Sequence, residues 1–199
     1  MTDAAEAKRD HIVAAALDVF GRYGYRRTSM DLIARAARVS RPAVYLHFKG
    51  KEDVFRAVAR RFADDIVAAA EAARRSGRPV ADRLYDVLAI KIEFFAGAVE
   101  ADYRAELFAE AEVIVEDVMA SFESAYLSVV EATLSDAAEE LDLLDAALSA
   151  ADAAAVLVDA LSGIVREKAE PAVLRKRLRQ LVELAVRGLT SRPAAVLHV

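Results

Sequence analysis

Residues 40–51, SRPAVYLHFKGK, crowd Arg41, Tyr45, His47, Lys49 and Lys51 into a short stretch. A guanidinium, a phenol, an imidazole and two ammonium groups all donate hydrogen bonds, so the segment suits an acceptor-rich, anionic partner. Upstream, Thr28 and Ser29 stand where a helix begins, and the free N–H groups of such a terminus suit a phosphate. Other chemistries find less. The chain has no cysteine, which excludes disulfides, thiol catalysis and cysteine-ligated metals. Its three histidines, His11, His47 and His198, have no ligand spacing, so no metal or other cofactor is expected. There is no glycine-rich phosphate loop and no serine or threonine beside a plausible base, so an enzyme is not expected. Glu106, Glu110 and Asp117 share one helical stripe, which reads as a solvated face.

Helices must position the donors. Ile12, Ala15, Ala16, Val19 and Phe20 make one apolar stripe of a helix over about residues 7–23, ended by the glycine of YGYRRT. TSMDLIARAA predicts a short second helix with Thr28 or Ser29 as N-cap. Asp31 would close a capping box on Thr28, and Leu32, Ile33 and Ala36 would face inward. After the tight connection RVS, Ser40 caps a third helix with Pro42 in its first turn, where the missing N–H is harmless. Beyond Gly50 the pattern changes to long amphipathic helices over about 51–75, 79–100, 103–134, 150–168 and 171–190. No strand-like alternation competes, and no flexible linker separates the short helices from the long ones.

At 100° per residue, Val44 and Phe48 of the third helix point toward the first two helices. Pro42, Ala43, Leu46 and His47 take the opposite side, with Arg41 and Tyr45 along an edge. A solvated helix would carry Lys and Glu there. An uncharged outer face flanked by Arg38, Arg41, Lys49 and Lys51 is suited to a groove. The second and third helices form a helix-turn-helix with residues 41–48 as its recognition helix. Charge agrees, because residues 1–62 hold 13 Lys/Arg against 7 Asp/Glu while the remainder holds 14 against 25. The N-terminus is charged and no segment reaches the apolar length that spans a bilayer, so a soluble cytoplasmic protein without membrane partners is expected.

The run TSMDLIARAARVSRPAVYLHFKGKEDVF resembles the DNA-binding segment of TetR-type bacterial transcriptional regulators. The matching positions are Thr28, Ile33, Ala34, Val39, Ser40, Tyr45, Phe48, Lys51 and the acidic pair after it. AALDVFGRYGY is similar to the family's first helix, so the resemblance covers residues 8–62 closely and the rest only as a bundle of long helices. Arg38 stands where the family usually has glycine, and Ala43 where a hydroxyl or glycine is common, which removes one hydrogen bond to DNA. The resemblance implies an all-α fold, with a helix-turn-helix DNA-binding domain over residues 1–55 and a helical effector-binding and dimerisation domain over 56–199. It also implies that Tyr45 and His47 contact phosphates at the groove edge. Thr28 and Ser29 offer one phosphate site and Lys51, with the start of its helix, a second. Base reading then falls to Arg41, with methyl contacts from Ala43 and Leu46 to thymine. Singly, Tyr45 could cap the small core, Thr28 and Ser29 could be ordinary N-caps, and His47 a solvated surface residue.

Reading a palindromic operator needs a two-fold homodimer, and the last two helices carry suitable stripes. One consists of Val156, Leu157, Ala160, Leu161 and Ile164, the other of Leu174, Leu178, Leu181 and Ala185. In the resembling family these helices form a four-helix dimer interface; the alternative is core packing within one chain. In the resembling family such residues line ligand pockets, which makes Phe95, Met119, Phe122 and Tyr126 the candidate lining of a pocket for a small apolar effector, with plain core as the alternative. The leading expectation is a dimeric repressor released from DNA by an apolar or amphipathic ligand. A helix-turn-helix DNA binder without a small-molecule ligand, and an all-helical enzyme or interaction module that no longer binds DNA, stay open.

Overall fold

In the computed structural model, residues 3–138, 141, 148–167 and 169–190 are described, and every regular element among them is an α-helix. The order is α1 (Asp3–Arg27), α2 (Met30–Ala36), α3 (Arg41–Tyr45), α4 (Lys51–Arg74), α5 (Val80–Ala98), α6 (Ala101–Ile114), α7 (Glu116–Ser135), α8 (Ala150–Arg166) and α9 (Pro171–Thr190). His198 and Lys168, the latter expected to end a helix, lie outside the described residues.

The boundaries follow the periodicity with instructive exceptions. Gly24 interrupts α1 with φ 73° and ψ 174°, a conformation open to glycine, so the expected stop exists although three residues, Tyr25, Arg26 and Arg27, follow it within the element. The single helix expected over 103–134 is two. Val115 leaves the helical region at φ −132° and ψ 37°, and Glu116 and Asp117 then open α7, where acidic side chains favour a helix N-terminus. Apolar residues continue in phase across the break, so periodicity alone ran through it. The recognition helix is also shorter than 41–48. It ends at Tyr45, and Leu46 and His47 form a turn in which His47 N–H donates to the Val44 carbonyl at 3.0 Å. In α2, Ile33, Ala34 and Ala37 are buried, while Ala36, expected inside, is exposed.

The chain packs as two compact units, Met1–Ile66 with Phe94–Glu123, and Val67–Glu93 with Ser124–Val199. In the first, α1 lies against α2 and α6, around Ile12, Phe20, Ile33, Val44, Phe48, Val54 and Val115. An aromatic cluster of Phe20, Tyr25 and Phe55, with ring centroids 4.9–5.9 Å apart, holds the start of α4 against α1. The core of the second unit comprises Leu84, Leu88, Ile92, Tyr126, Leu134, Leu157, Leu161, Leu174 and Leu178, with α8 packed on α9.

Candidate DNA-binding surface and interior cavity

The turn between α2 and α3 sets the surface. Ser29 is the N-cap of α2, its Oγ accepting from Leu32 N–H at 3.3 Å. Thr28 has another role, since it is buried and its hydroxyl donates to the Gly24 carbonyl at 2.7 Å, tying the kink of α1 to the start of α2. With Ser29 as cap, Asp31 cannot close the expected capping box on Thr28 and lies instead 3.5 Å from the Arg41 guanidinium. Arg38 adopts φ 52°, the left-handed conformation that a glycine would take at no steric penalty, so the turn keeps its geometry without glycine. Ser40 follows in extended conformation and caps α3 through Ala43 N–H at 3.3 Å.

Val44 and Phe48 anchor α3, both buried, and the opposite side faces solvent. Leu46 is 84% exposed and Tyr45 44%, large values for side chains of their size. Arg41 and Pro42 are exposed beside them, while Ala43 and His47 are half-buried. The Arg41 guanidinium stands 5.6 Å from the centroid of the Tyr45 ring, and hydrogen bonding to Tyr45, then the negative charge of Asp31, holds its pKa above the ordinary value. Lys51 is less free than its position in sequence suggests. Its ammonium donates to the Tyr25 carbonyl at 3.0 Å and sits 4.0 Å from the Tyr25 ring centroid, which uses one of its three donors. It lines an open cleft of about 580 Å³ with Lys49, Gly50 and Arg56.

The acidic stripe is solvated only in part: Asp117 is exposed as expected, whereas Glu106 and Glu110 are half-buried, and all three have basic partners. Arg26 donates its main-chain N–H to Glu106 at 3.0 Å and its Nε to Glu110 at 2.9 Å. Arg27 donates to the Tyr103 hydroxyl at 2.9 Å. Arg56 pairs with Asp117 and donates to the Ile114 carbonyl at 2.9 Å, and its hydrogen bond holds the Asp117 carboxyl below the ordinary carboxylate range. The sequence signal was available in the excess of cations over residues 1–62 and a carboxylate stripe at helical spacing. What it lacked was the distance between them.

Behind this surface, within the first unit, is a cavity of about 80 Å³ whose walls include Phe20, Phe62, Phe95, Phe108, Met119 and Phe122. Arg104 is the one charged residue of the wall. It is buried, and its Nε donates to the Val99 carbonyl at 3.3 Å. Gly21 permits the wall to close, because a Cβ there would stand 1.9 Å from the Ala98 carbonyl oxygen. Phe95, Met119 and Phe122 thus meet as the spacing suggested. Tyr126 does not join them; it belongs to the second unit, buried, with its hydroxyl donating to the Val87 carbonyl at 3.0 Å. Burial pushes that phenol far above its ordinary pKa.

On α8 and α9 the candidate interface residues divide. Leu157, Leu161, Leu174 and Leu178 are buried within the chain. Val156 is exposed, and Ala160, Ile164, Leu181 and Ala185 are half-buried on the remaining face. Val173 and Leu184, which the stripes omitted, are also exposed, Leu184 at 72%. Among the described residues no group of three or more His, Asp or Glu side chains could hold a metal ion, and no helix is long and apolar enough to cross a membrane.

Comparison with known proteins places the surface in a family. Residues 12–58 match the family model of bacterial regulatory proteins of the tetR family. The chain is 53% identical over 57 residues to an uncharacterized HTH-type transcriptional regulator, TtgW, of Pseudomonas putida, over 28% of this chain and 42% of that one, so the match spans less than half of that relative. It is 30% identical over 146 residues to the HTH-type transcriptional activator FasR of Mycolicibacterium smegmatis, covering 73% and 63% of the two chains. Its fold is similar to that of the transcriptional regulator FadR from Bacillus subtilis, solved in complex with stearoyl-CoA, with a TM-score of 0.67, 18% identity and coverage of 91% and 97%. With the helix-turn-helix, its left-handed turn and the matched segment coinciding, residues 12–58 are a DNA-binding segment of the tetR family of bacterial regulatory proteins.

Proposed function

We propose that this chain is a sequence-specific DNA-binding regulator that acts in the cytoplasm as a homodimer and leaves its operator when a small apolar or amphipathic molecule enters the cavity. The single observation that carries the DNA-binding reading is the outer side of α3. Leu46 and Tyr45 are left in water between the cations Arg38, Arg41 and Lys49, an arrangement costly for a solvated helix and suited to a major groove. Arg41 reads a base edge, and Ala43 and Leu46 meet thymine methyl groups. Ser29, Tyr45, His47 and the two remaining donors of Lys51 hold phosphates. Thr28 acts through the kink at Gly24 rather than by direct contact. In this reading residues 1–55 bind DNA and 56–199 bind effector and partner.

The half-buried and exposed residues of α8 and α9 supply the dimer contact, with Val156, Ala160, Ile164, Leu181, Leu184 and Ala185 as its center. Leu157, Leu161, Leu174 and Leu178 shape it from beneath. Control of DNA binding follows from what the cavity wall is made of. At about 80 Å³ it is smaller than ordinary ligand pockets of about 300–1,000 Å³, so an entering ligand must displace its walls. Those walls include α6, which holds Arg26 and Arg27 through Glu106, Glu110 and Tyr103, just ahead of Ser29. The stearoyl-CoA bound by the structurally similar FadR supports an effector with a long apolar part. To turn a nearly all-bound population into a nearly all-released one, the ligand must prefer the released state by about ten-thousand-fold over both sites.

The test is reciprocal. A candidate acyl compound is titrated into free protein and into protein saturated with operator DNA. Weaker binding to the complex by the factor by which the ligand weakens DNA binding supports the reading. Equal affinities across a panel of compounds would instead favour a DNA binder without a small-molecule effector.

A further inference from the structure

Arg41 is held before any DNA arrives. Its Nε lies 3.5 Å from Asp31 Oδ1, across the turn from α2, and its guanidinium carbon is 5.6 Å from the centroid of the Tyr45 ring one turn along α3. Asp31 is free to do this because Ser29, not Thr28, caps α2, and because Arg35 donates to the Asp31 main-chain oxygen, at 3.3 Å. At 3.5 Å between groups more than half exposed, the pair adds little to the stability of the fold. Its consequence is for binding. An unrestrained arginine beside a polyanion goes to the nearest phosphate, which raises affinity for every sequence alike, whereas discrimination requires the guanidinium to be presented to a base edge.

We infer that Asp31 is a specificity-determining positioning residue, whose carboxylate keeps the Arg41 guanidinium over Tyr45 and off the DNA backbone, so that Arg41 gains its full interaction at a matching base edge. The inference rests on the reading of Arg41 as the base-contacting residue. It assigns to α2 a share in sequence selection although Asp31 itself need not touch DNA.

The simplest competing effect is that a carboxylate near DNA repels all phosphates, and a double-mutant cycle separates the two. The full chain and its Asp31→Asn, Arg41→Ala and doubly substituted variants are titrated with two duplexes: the highest-affinity sequence selected from a randomised pool by the unsubstituted protein, and poly(dI-dC). Thermal melts confirm that each variant is folded. In the Arg41 background, Asp31→Asn tightens binding to poly(dI-dC) more than to the selected duplex, lowers the ratio of the two affinities about tenfold, and steepens the salt dependence by about one unit per subunit as Arg41 finds a phosphate. In the Arg41→Ala background the same substitution leaves the ratio unchanged. Asp31→Glu, which keeps the charge, restores most of the ratio. An unchanged ratio on Asp31→Asn, or an equal fall with and without Arg41, would overturn the inference while leaving Arg41 as the base reader. Arg41→Ala that keeps its base preferences would instead remove the reading beneath it.

Discussion

Two faces of the molecule leave large apolar side chains in water, and they differ in the charges around them. On α3 and the turn that ends it, Tyr45 and Leu46 stand among Arg38, Arg41 and Lys49, with Asp31 the acidic neighbour paired to one of them. On α8 and α9, Val156, Val173 and Leu184 share their helices with charges of both signs, which include Arg175, paired with Glu93 of α5, and Arg177, paired with Glu167. An apolar patch ringed by one sign of charge is complementary to something of the opposite sign, such as a phosphate-lined groove. A patch among charges of both signs is complementary to a surface like itself, as a two-fold interface demands. Exposed apolar area alone does not name a partner, but its rim does.

The largest effect expected from this comparison comes from putting charge on the second face. Val156→Glu with Leu184→Glu converts the dimer to monomers, seen by light scattering, and lowers operator affinity on the order of a hundredfold or more as the two half-sites lose their link. Leu178→Glu is a contrasting control. It buries a charge at a fully covered site and destabilises the fold by several kcal/mol, read as a lowered Tm rather than as a clean monomer.

On the first face, Arg41→Ala costs about 1–3 kcal/mol at one base position of each half-site and little elsewhere, measured on a panel of single-base substitutions. Lys51→Ala has a smaller and less selective effect. It weakens binding to all sequences, lowers the salt slope by about one unit per subunit, and costs about 1 kcal/mol of stability through the lost contacts with Tyr25.

The smallest effect is a change that touches neither face. The Tyr126 phenol is neutral when buried, with its pKa raised above the ordinary 10.0, so it contributes stability that is fully present below pH 10 and lost as pH rises beyond it. Tyr126→Phe removes that alkaline loss in pH-dependent melts, leaves the Val87 carbonyl without its donor at about 1 kcal/mol, and changes neither dimerisation nor DNA binding.

What the sequence made legible follows from which forces are local. Helix periodicity, the Ser40 cap, Pro42 in a first turn and the opposite sides of α3 depend on residues a few positions apart, and these readings agree with the structure. The break at Val115 was invisible because the apolar stripe stays in phase across it. The cap stayed open between Thr28 and Ser29, and the capping box of Asp31 on Thr28 was misassigned, because two adjacent hydroxyls compete for one cap and the outcome depends on Gly24 offering Thr28 another acceptor. Longer-range partners were the hardest to read. The carboxylate stripe looked solvated until Arg26 and Arg56 were placed against it, and Tyr126 looked equivalent to Phe122 although it falls in the other unit. Among the candidate cavity residues, spacing identified the helices but not the depth at which each side chain would meet the others.

The most direct test of the account is selection of duplexes from a randomised pool by the full-length protein, repeated with Arg41→Ala. The account predicts that the unsubstituted protein enriches a palindromic sequence with two half-sites about one helical turn apart, and that Arg41→Ala loses preference at one symmetric pair of positions while keeping the rest. Enrichment of no sequence, or of a single site without symmetry, would contradict it.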